Sequence, residues 1–341
     1  KWSDPNLETR VRNAATAPDT TPEAMYNMGA WLKSTGRKAE ARTWFERVLA
    51  AKPDFDKAQA AIGMLMFEEG NVADAEAWFS KAVARDPANA IANAYYGWQA
   101  IVRGDFPEAI NVARIGLISD PDSRDAYAVL AAAYIGMGQI DAGQLVAQNA
   151  LSLDGTDGQI ENLKGIMFLR QGEVRQAVKM FEKAAIDSPV LYGAWMNLGL
   201  VTLGYKDFNS SGTAFQKALE LKPTSRDAQL SMAIVERGSD RGAEALKILT
   251  VLASQADDPE AHFNLCLLYQ ENLADPDKAL VECDRFLSMT PASHPRRREV
   301  EKRVEGIRLT IEALEGSDDT GITPEEPVDA DSVPPAAGPV E

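Results

Sequence analysis

The chain is poor in the residues on which catalysis and metal binding most often rest. Two histidines, His262 and His294, and two cysteines, Cys266 and Cys283, are all that it holds in 341 residues. The cysteines are too few for a disulfide framework and too far apart for a CxxC redox or zinc motif. No Gly-x-Ser-x-Gly and no P-loop is present, and Gly136-Met137-Gly138 lacks the rest of a dinucleotide fingerprint. The expectation is a protein that is not an enzyme, with no cofactor and no metal site. Long apolar runs are missing too: no stretch approaches the roughly 18 apolar residues of a membrane-spanning helix. Bases are scarce beside acids, 35 Lys and Arg against 51 Asp and Glu, for a formal net charge of −16. A phosphate backbone or an anionic lipid surface needs a basic face, so neither is expected as the main partner. Runs of β-branched residues with strand-like alternation are also absent, which points away from sheets.

What the chain does have is a period. Units starting at residues 22, 56, 90, 124, 158, 192, 226 and 260 repeat every 34 residues without insertion. A small residue recurs at the eighth place, as Gly29, Gly63, Gly97, Ala131, Gly165, Gly199 and Ala233, with Leu267 the exception. Another recurs at the twentieth, from Ala41 and Ala75 to Ala245 and Ala279, and a large apolar residue often fills the twenty-fourth, as Phe45, Phe79, Phe181, Phe215 and Leu249. Gly36, Gly70, Gly104, Gly138 and Gly172 hold the fifteenth place, and Pro53, Pro87, Pro121, Pro189, Pro223 and Pro291 close the unit. Each unit therefore reads as a helical hairpin. A glycine inside a helix costs about 1 kcal/mol relative to alanine, which close helix–helix approach must offset. Glycine at the fifteenth place suits a left-handed helix terminus, and proline ends the second helix because it has no amide donor. The apolar surface left by one hairpin can be covered only by its neighbour.

This pattern resembles the tetratricopeptide repeat family, over about 80 per cent of the chain. The resemblance implies an all-α, right-handed α-solenoid. Residues 22–293 are read as eight repeats, 1–21 as an N-terminal tether, 294–315 as a capping helix and 316–341 as a disordered, acidic, proline-rich tail. The cap reading rests on Val300, Val304, Ile307, Ile311 and Leu314 at helical spacing. Departures cluster in the seventh and eighth repeats, so the solenoid is expected to be least regular between Arg226 and Asp258.

In this family the first helix of each hairpin lines the concave face, with places two, five, nine, twelve and thirteen turned inward. Mapped here, these places yield an apolar partner-binding groove: Met64, Phe67, Trp98, Ile101, Val102, Ile135, Leu169, Met196 and Leu200. Such residues are either buried between adjacent first helices or exposed to receive an apolar or amphipathic partner segment. Trp98 is the expected hot spot, with Trp98→Arg abolishing capture and leaving the fold stable. The Lys and Asn clamp with which chaperone-binding members hold a peptide carboxylate is absent, since its places carry Tyr26 and Ala30, Ala60 and Met64, Ala94 and Trp98. Cys266 and Cys283 fall at places that face each other in one hairpin, giving two readings: a disulfide, or two buried thiols.

The function expected is a non-catalytic interaction scaffold, a lipoprotein or otherwise tethered periplasmic protein that assembles a bacterial envelope machine for a pilus, secretion or motility. A first residue of Lys rather than Met leaves room for a signal or lipid anchor upstream. The alternative is a cytosolic adaptor or co-chaperone.

Overall fold

The computed structural model describes residues 6–154, 157–256 and 258–318. Residues 1–5 of the proposed tether and 319–341 of the proposed tail lie outside the described residues. Among the described residues every regular element is an α-helix. The chain divides into two compact units at Val235 and Glu236, inside α14 (Arg226–Gly238) and within the stretch where the repeats were expected to lose regularity.

The first unit opens with α1 (Leu7–Thr16), within the segment read as a tether. Its Leu7 and Val11 pack against the first hairpin, so this part of the segment belongs to the folded unit. Six hairpins follow: α2 (Pro22–Ser34) with α3 (Lys38–Ala51), α4 (Asp56–Glu68) with α5 (Val72–Arg85), and α6 (Ala90–Val102) with α7 (Phe106–Ser119). After them come α8 (Arg124–Gly136) with α9 (Ile140–Asp154), α10 (Gly158–Arg170) with α11 (Val174–Asp187), and α12 (Tyr192–Gly204) with α13 (Phe208–Leu221). First helices touch one another in sequence, α4 on α6, α6 on α8, α8 on α10 and α10 on α12, and so form a continuous inner layer.

The glycine at the eighth place admits a ring rather than a bare backbone. A Cβ on Gly165 would lie 2.4 Å from the Phe181 ring, and one on Gly199 would lie 2.5 Å from the Phe215 ring. Four phenylalanines, Phe45, Phe79, Phe181 and Phe215, are fully buried in this way. In the third hairpin, where Ala113 replaces the ring, Val129 of the following hairpin moves over Gly97 instead.

The turn geometry outlasts the turn residue. Gly36, Gly70, Gly104, Gly138 and Gly172 have φ between +75° and +87°, and the same place in the last three repeats is held by Lys206, Asp240 and Ala274 at φ 59°, 63° and 48°. The hydrogen bonds explain this insistence. In the first hairpin the Gly36 amide donates to the Lys33 carbonyl at 3.0 Å and the Arg37 amide to the Leu32 carbonyl at 2.9 Å, which satisfies helix-end carbonyls. A side chain in this conformation costs about 1–2 kcal/mol, and glycine returns part of that through its freer unfolded chain. Lys206→Gly and Ala274→Gly should each therefore stabilise by about 0.5 kcal/mol, read as a shifted urea midpoint with unchanged slope.

The fourth place has a role that periodicity does not show. Gln59, Asn93, Trp195 and Gln229 each donate a side-chain N–H to the carbonyl of the proline six residues earlier, Pro53, Pro87, Pro189 and Pro223, at 2.8–3.0 Å. The proline that stops one hairpin is thus tied to the next helix. In the fifth repeat Glu161 occupies this place, is buried, and binds Lys183 of α11, with Lys164 3.6 Å away. Burial alone would lower the Lys183 pKa, yet its hydrogen bonds and charge interactions with Glu161 and Asp187 leave it raised. Lys183→Met would strand a buried carboxylate and is expected to cost about 1–3 kcal/mol, measured by denaturant melts against Glu161→Leu/Lys183→Met, which should recover much of the loss.

In the second unit α15 (Gly242–Ala256), α16 (Pro259–Glu271), α17 (Pro276–Met289) and α18 (Arg297–Asp318) pack in sequence. Cys266 and Cys283 are disulfide-bonded, fully buried, with Cα atoms 5.2 Å apart. Cys283 stands at the twenty-fourth place and Leu267 at the eighth, so here a covalent link replaces the ring-on-glycine contact. Val300, Val304 and Ile307 of α18 close over this core and Ile311 packs beside them, whereas Leu314 is exposed. The basic run at 296–298 is partly structural: Arg296 binds Glu260 at 2.6 Å and lies over Phe263, and Arg297 donates to the carbonyls of Leu287 and Thr290 at the end of α17.

Candidate partner-binding face

The nine residues expected to form an apolar groove divide by burial. Ile135 and Met196 are buried, and Ile135 belongs to the core shared by α8, α9 and α10. Met64 and Phe67 are half-buried around Tyr95, with the Phe67 and Tyr95 rings 5.2 Å apart and edge to face. Ile101 and Leu169 are half-buried as well. Trp98 packs against two clusters, one between α6, α7 and α8 and the other between α8, α9 and α10. It is partly buried, so only part of its side chain is open to a partner. Only Val102, 83 % exposed, and Leu200, 49 % exposed, offer substantial apolar surface. The continuous apolar track therefore reduces to two exposed points among half-buried neighbours.

The inner layer is also confined. A Cβ on Gly36, in the turn of the first hairpin, would come within 2.8 Å of a Val190 methyl in the loop after α11. The first and fifth hairpins are thus in contact within one unit, which restricts what can enter between them.

A cleft of about 500 Å3 lies at the N-terminal ends of the first helices. Place two supplies Lys57, Ile91 and Asp125 from three successive repeats, and Tyr26 enters from α2. Asp125 sits in the first turn of α8, whose N-cap Ser123 accepts from the Ala126 amide at 3.3 Å. Asp125 is partly buried in the wall of this cleft. Burial, above all, raises its pKa; Lys33 lowers it, and the carboxylates of Asp157, Glu68 and Asp120 raise it further. The Tyr26 hydroxyl is held well above its usual range by burial and then by Asp125, Asp120 and Asp56. Place two was among the inward positions expected from the sequence, but reading only its apolar members passed over Asp125.

A ladder of charges lines the corresponding helices of the second unit. Arg237 binds Glu271 at 3.0 Å, and Glu271 binds Arg303 of α18 at 3.0 Å. Burial lowers the Arg237 pKa, with Glu271 opposing that shift. Arg237 is thereby committed to Glu271.

Stacked helical hairpins with this inner layer define an α-solenoid built for contact over an extended face. The family model described as tetratricopeptide repeat matches residues 26–90 and 162–226, and the intervening hairpins have the same period and turn geometry. The chain thus carries tetratricopeptide repeats at residues 26–90 and 162–226. Comparison with curated protein sequences gave no match. Among solved structures it is similar to the anaphase-promoting complex hetero-tetramer Cut9–Hcn1, with a TM-score of 0.60, 16 % identity, and coverage of 79 % of this chain and 52 % of the other. This chain thus spans about half the length of that relative. It is also similar to Pseudomonas aeruginosa pilF, with a TM-score of 0.53, 23 % identity, and coverage of 64 % and 99 %. A human IFIT1 dimer with m7Gppp-AAAA gives a TM-score of 0.57, 18 % identity, and coverage of 86 % and 74 %. These likenesses describe the fold.

Proposed function

We propose that the chain is a non-catalytic scaffold that captures an apolar or amphipathic segment of a partner protein on the inner face of its first unit, in assembly of a bacterial envelope machine. The observation that carries the reading is the exposure of Val102 and Leu200 at inward places of first helices whose other apolar residues are at least half covered. Exposed apolar points rimmed by polar surface are what a partner segment covers. The envelope setting, tethered in the periplasm or at the outer membrane, is supported by the buried Cys266–Cys283 bridge, which suits an oxidising compartment. No helix among the described residues is long and apolar enough to cross a membrane. An RNA ligand, as in the IFIT1 structure, is disfavoured because a net charge of −16 and an acidic inner cleft repel a phosphate backbone.

The test compares capture of partners from native envelope extract by wild type, Val102→Arg/Leu200→Arg and the second-helix control Ile118→Arg, which is 76 % exposed. The double variant should lose the captured protein with an unchanged melting temperature, and the control should retain it. Equal capture by all three would contradict the reading. Trp98→Arg is a less clean probe: it puts a charge on a partly buried side chain packed against two core clusters and should cost about 2 kcal/mol.

A further inference from the structure

The capping helix α18 carries two stripes with the same spacing and different surroundings. Val300, Val304, Ile307 and Ile311, four and three residues apart, cover the core of the second unit. Arg298, Lys302, Glu305, Leu309 and Glu312 repeat that spacing on the other side of the helix, and all five are exposed. Charges between the two stripes are paired: Arg297 with Glu301 at 3.0 Å, Arg303 with Glu299 at 3.2 Å and with Glu271 at 3.0 Å, and Arg308 with Asp284 at 3.8 Å. Those on the outer stripe are not. Among the described residues Arg298, Lys302, Glu305 and Glu312 make no ion pair, although Lys302 and Glu305 stand three apart on one helix face. Leu309, 66 % exposed, sits among them. A single exposed leucine is ordinary on a protein surface, but the outer face of a terminal solenoid element is where polar residues are required. Beside it Gly306 leaves open space, since a Cβ there would meet nothing within 4 Å.

The order of the charges is a second, independent anomaly. Residues 296–303 hold five bases and two acids, and residues 305–315 hold one base and three acids. The helix macrodipole favours the reverse, acids at the N-terminus and bases at the C-terminus. Within one chain this order is a cost. Against an antiparallel copy of the same helix it is complementary, because each basic half then lies beside an acidic half and the negative end of the other dipole.

We propose that α18 pairs with α18 of a second copy of this chain, antiparallel about a twofold axis that passes near Ile307. The register that fits the alternating spacing sets Lys302 opposite Glu312 of the second copy and Glu305 opposite its Leu309, each contact made twice by symmetry. Leu309 then covers the open position at Gly306 of the other helix. One helix pair buries less than the roughly 1,600 Å2 of a standard interface, so the dimer should be reversible, half-dissociated at about 10 µM. None of these residues belongs to the inner face of the first unit, so the dimer and the scaffold reading fail separately.

Sedimentation equilibrium of the full chain between about 1 and about 200 µM tests this. Wild type should pass from the 37.0 kDa monomer to a species of twice that mass. Leu309→Glu should stay monomeric with an unchanged melting temperature. Lys302→Glu and Glu312→Lys should each weaken the dimer about tenfold, because like charges then face each other twice. An equimolar mixture of these two variants should recover the wild-type affinity, since both contacts of the mixed dimer again join opposite charges; contacts within one chain cannot reproduce that result. A wild type that remains monomeric at the highest concentration, or a dimer that Leu309→Glu leaves intact, would overturn the proposal. A mixture that associates no more tightly than either variant alone would overturn the antiparallel pairing of α18.

Discussion

Phe181→Ala is expected to cost the first unit about 3–5 kcal/mol, the largest effect of any single substitution considered. The ring is fully buried and lies where a side chain on Gly165 would be, so truncation removes contacts on two helices of one hairpin and opens a cavity that Gly165 cannot fill. A repeat array feels such a defect through nearest neighbours, so exchange of amides in α10 and α11 should rise first. The same geometry makes the reverse change harmful. Gly165→Ala drives a methyl into the ring, with an expected cost of about 1–3 kcal/mol. Combining the two should cost less than the sum of the single effects, because the alanine methyl then occupies vacated space. A denaturant double-mutant cycle measures this; strict additivity would show that ring and glycine are not coupled.

Reduction of Cys266–Cys283 has the second largest expected effect. The bridge spans a sequence separation of 17 residues, for which chain-entropy reasoning gives about 3 kcal/mol. The loss should fall on α16, α17 and α18, whose core contains both sulfurs with Phe263, Phe286 and Val300. Cys266→Ala/Cys283→Ala should show the same loss with or without reductant, whereas the wild type should fall to that level only when reduced. Alkylation of unfolded protein without reductant should modify neither cysteine; two modified thiols would show that the bridge is not formed in the native source.

Much of this architecture was legible because it is repeated. Period, turn glycines and proline stops follow from local chemistry seen several times over, and the capping pattern at Val300, Val304 and Ile307 from helical spacing of apolar residues in one segment. The left-handed turns at Lys206, Asp240 and Ala274 were not legible, since the neighbouring helices impose that conformation whatever residue stands there. Nor were the bonds from place four to the proline carbonyls, because glutamine, asparagine and tryptophan share a donor but no hydropathy. The face was read less well than the fold. A place known to turn inward does not reveal how far its neighbours cover it: Val102 is open, whereas Ile135 and Met196 are covered by adjoining helices. Asp125 escaped notice for the same reason in reverse, since only the assembled cleft brings it together with Tyr26, Lys57 and Asp157.

Photo-crosslinking in the native cell tests the central claim most directly. A benzophenone amino acid placed at Val102, at Leu200 or at the second-helix position Ile118 reports what lies against each point of the surface. A discrete adduct with the same partner protein from Val102 and Leu200, and none from Ile118, is the result expected of a scaffold that holds its partner on the inner face. An adduct from Ile118 alone, or no adduct from the two inner positions, would contradict it.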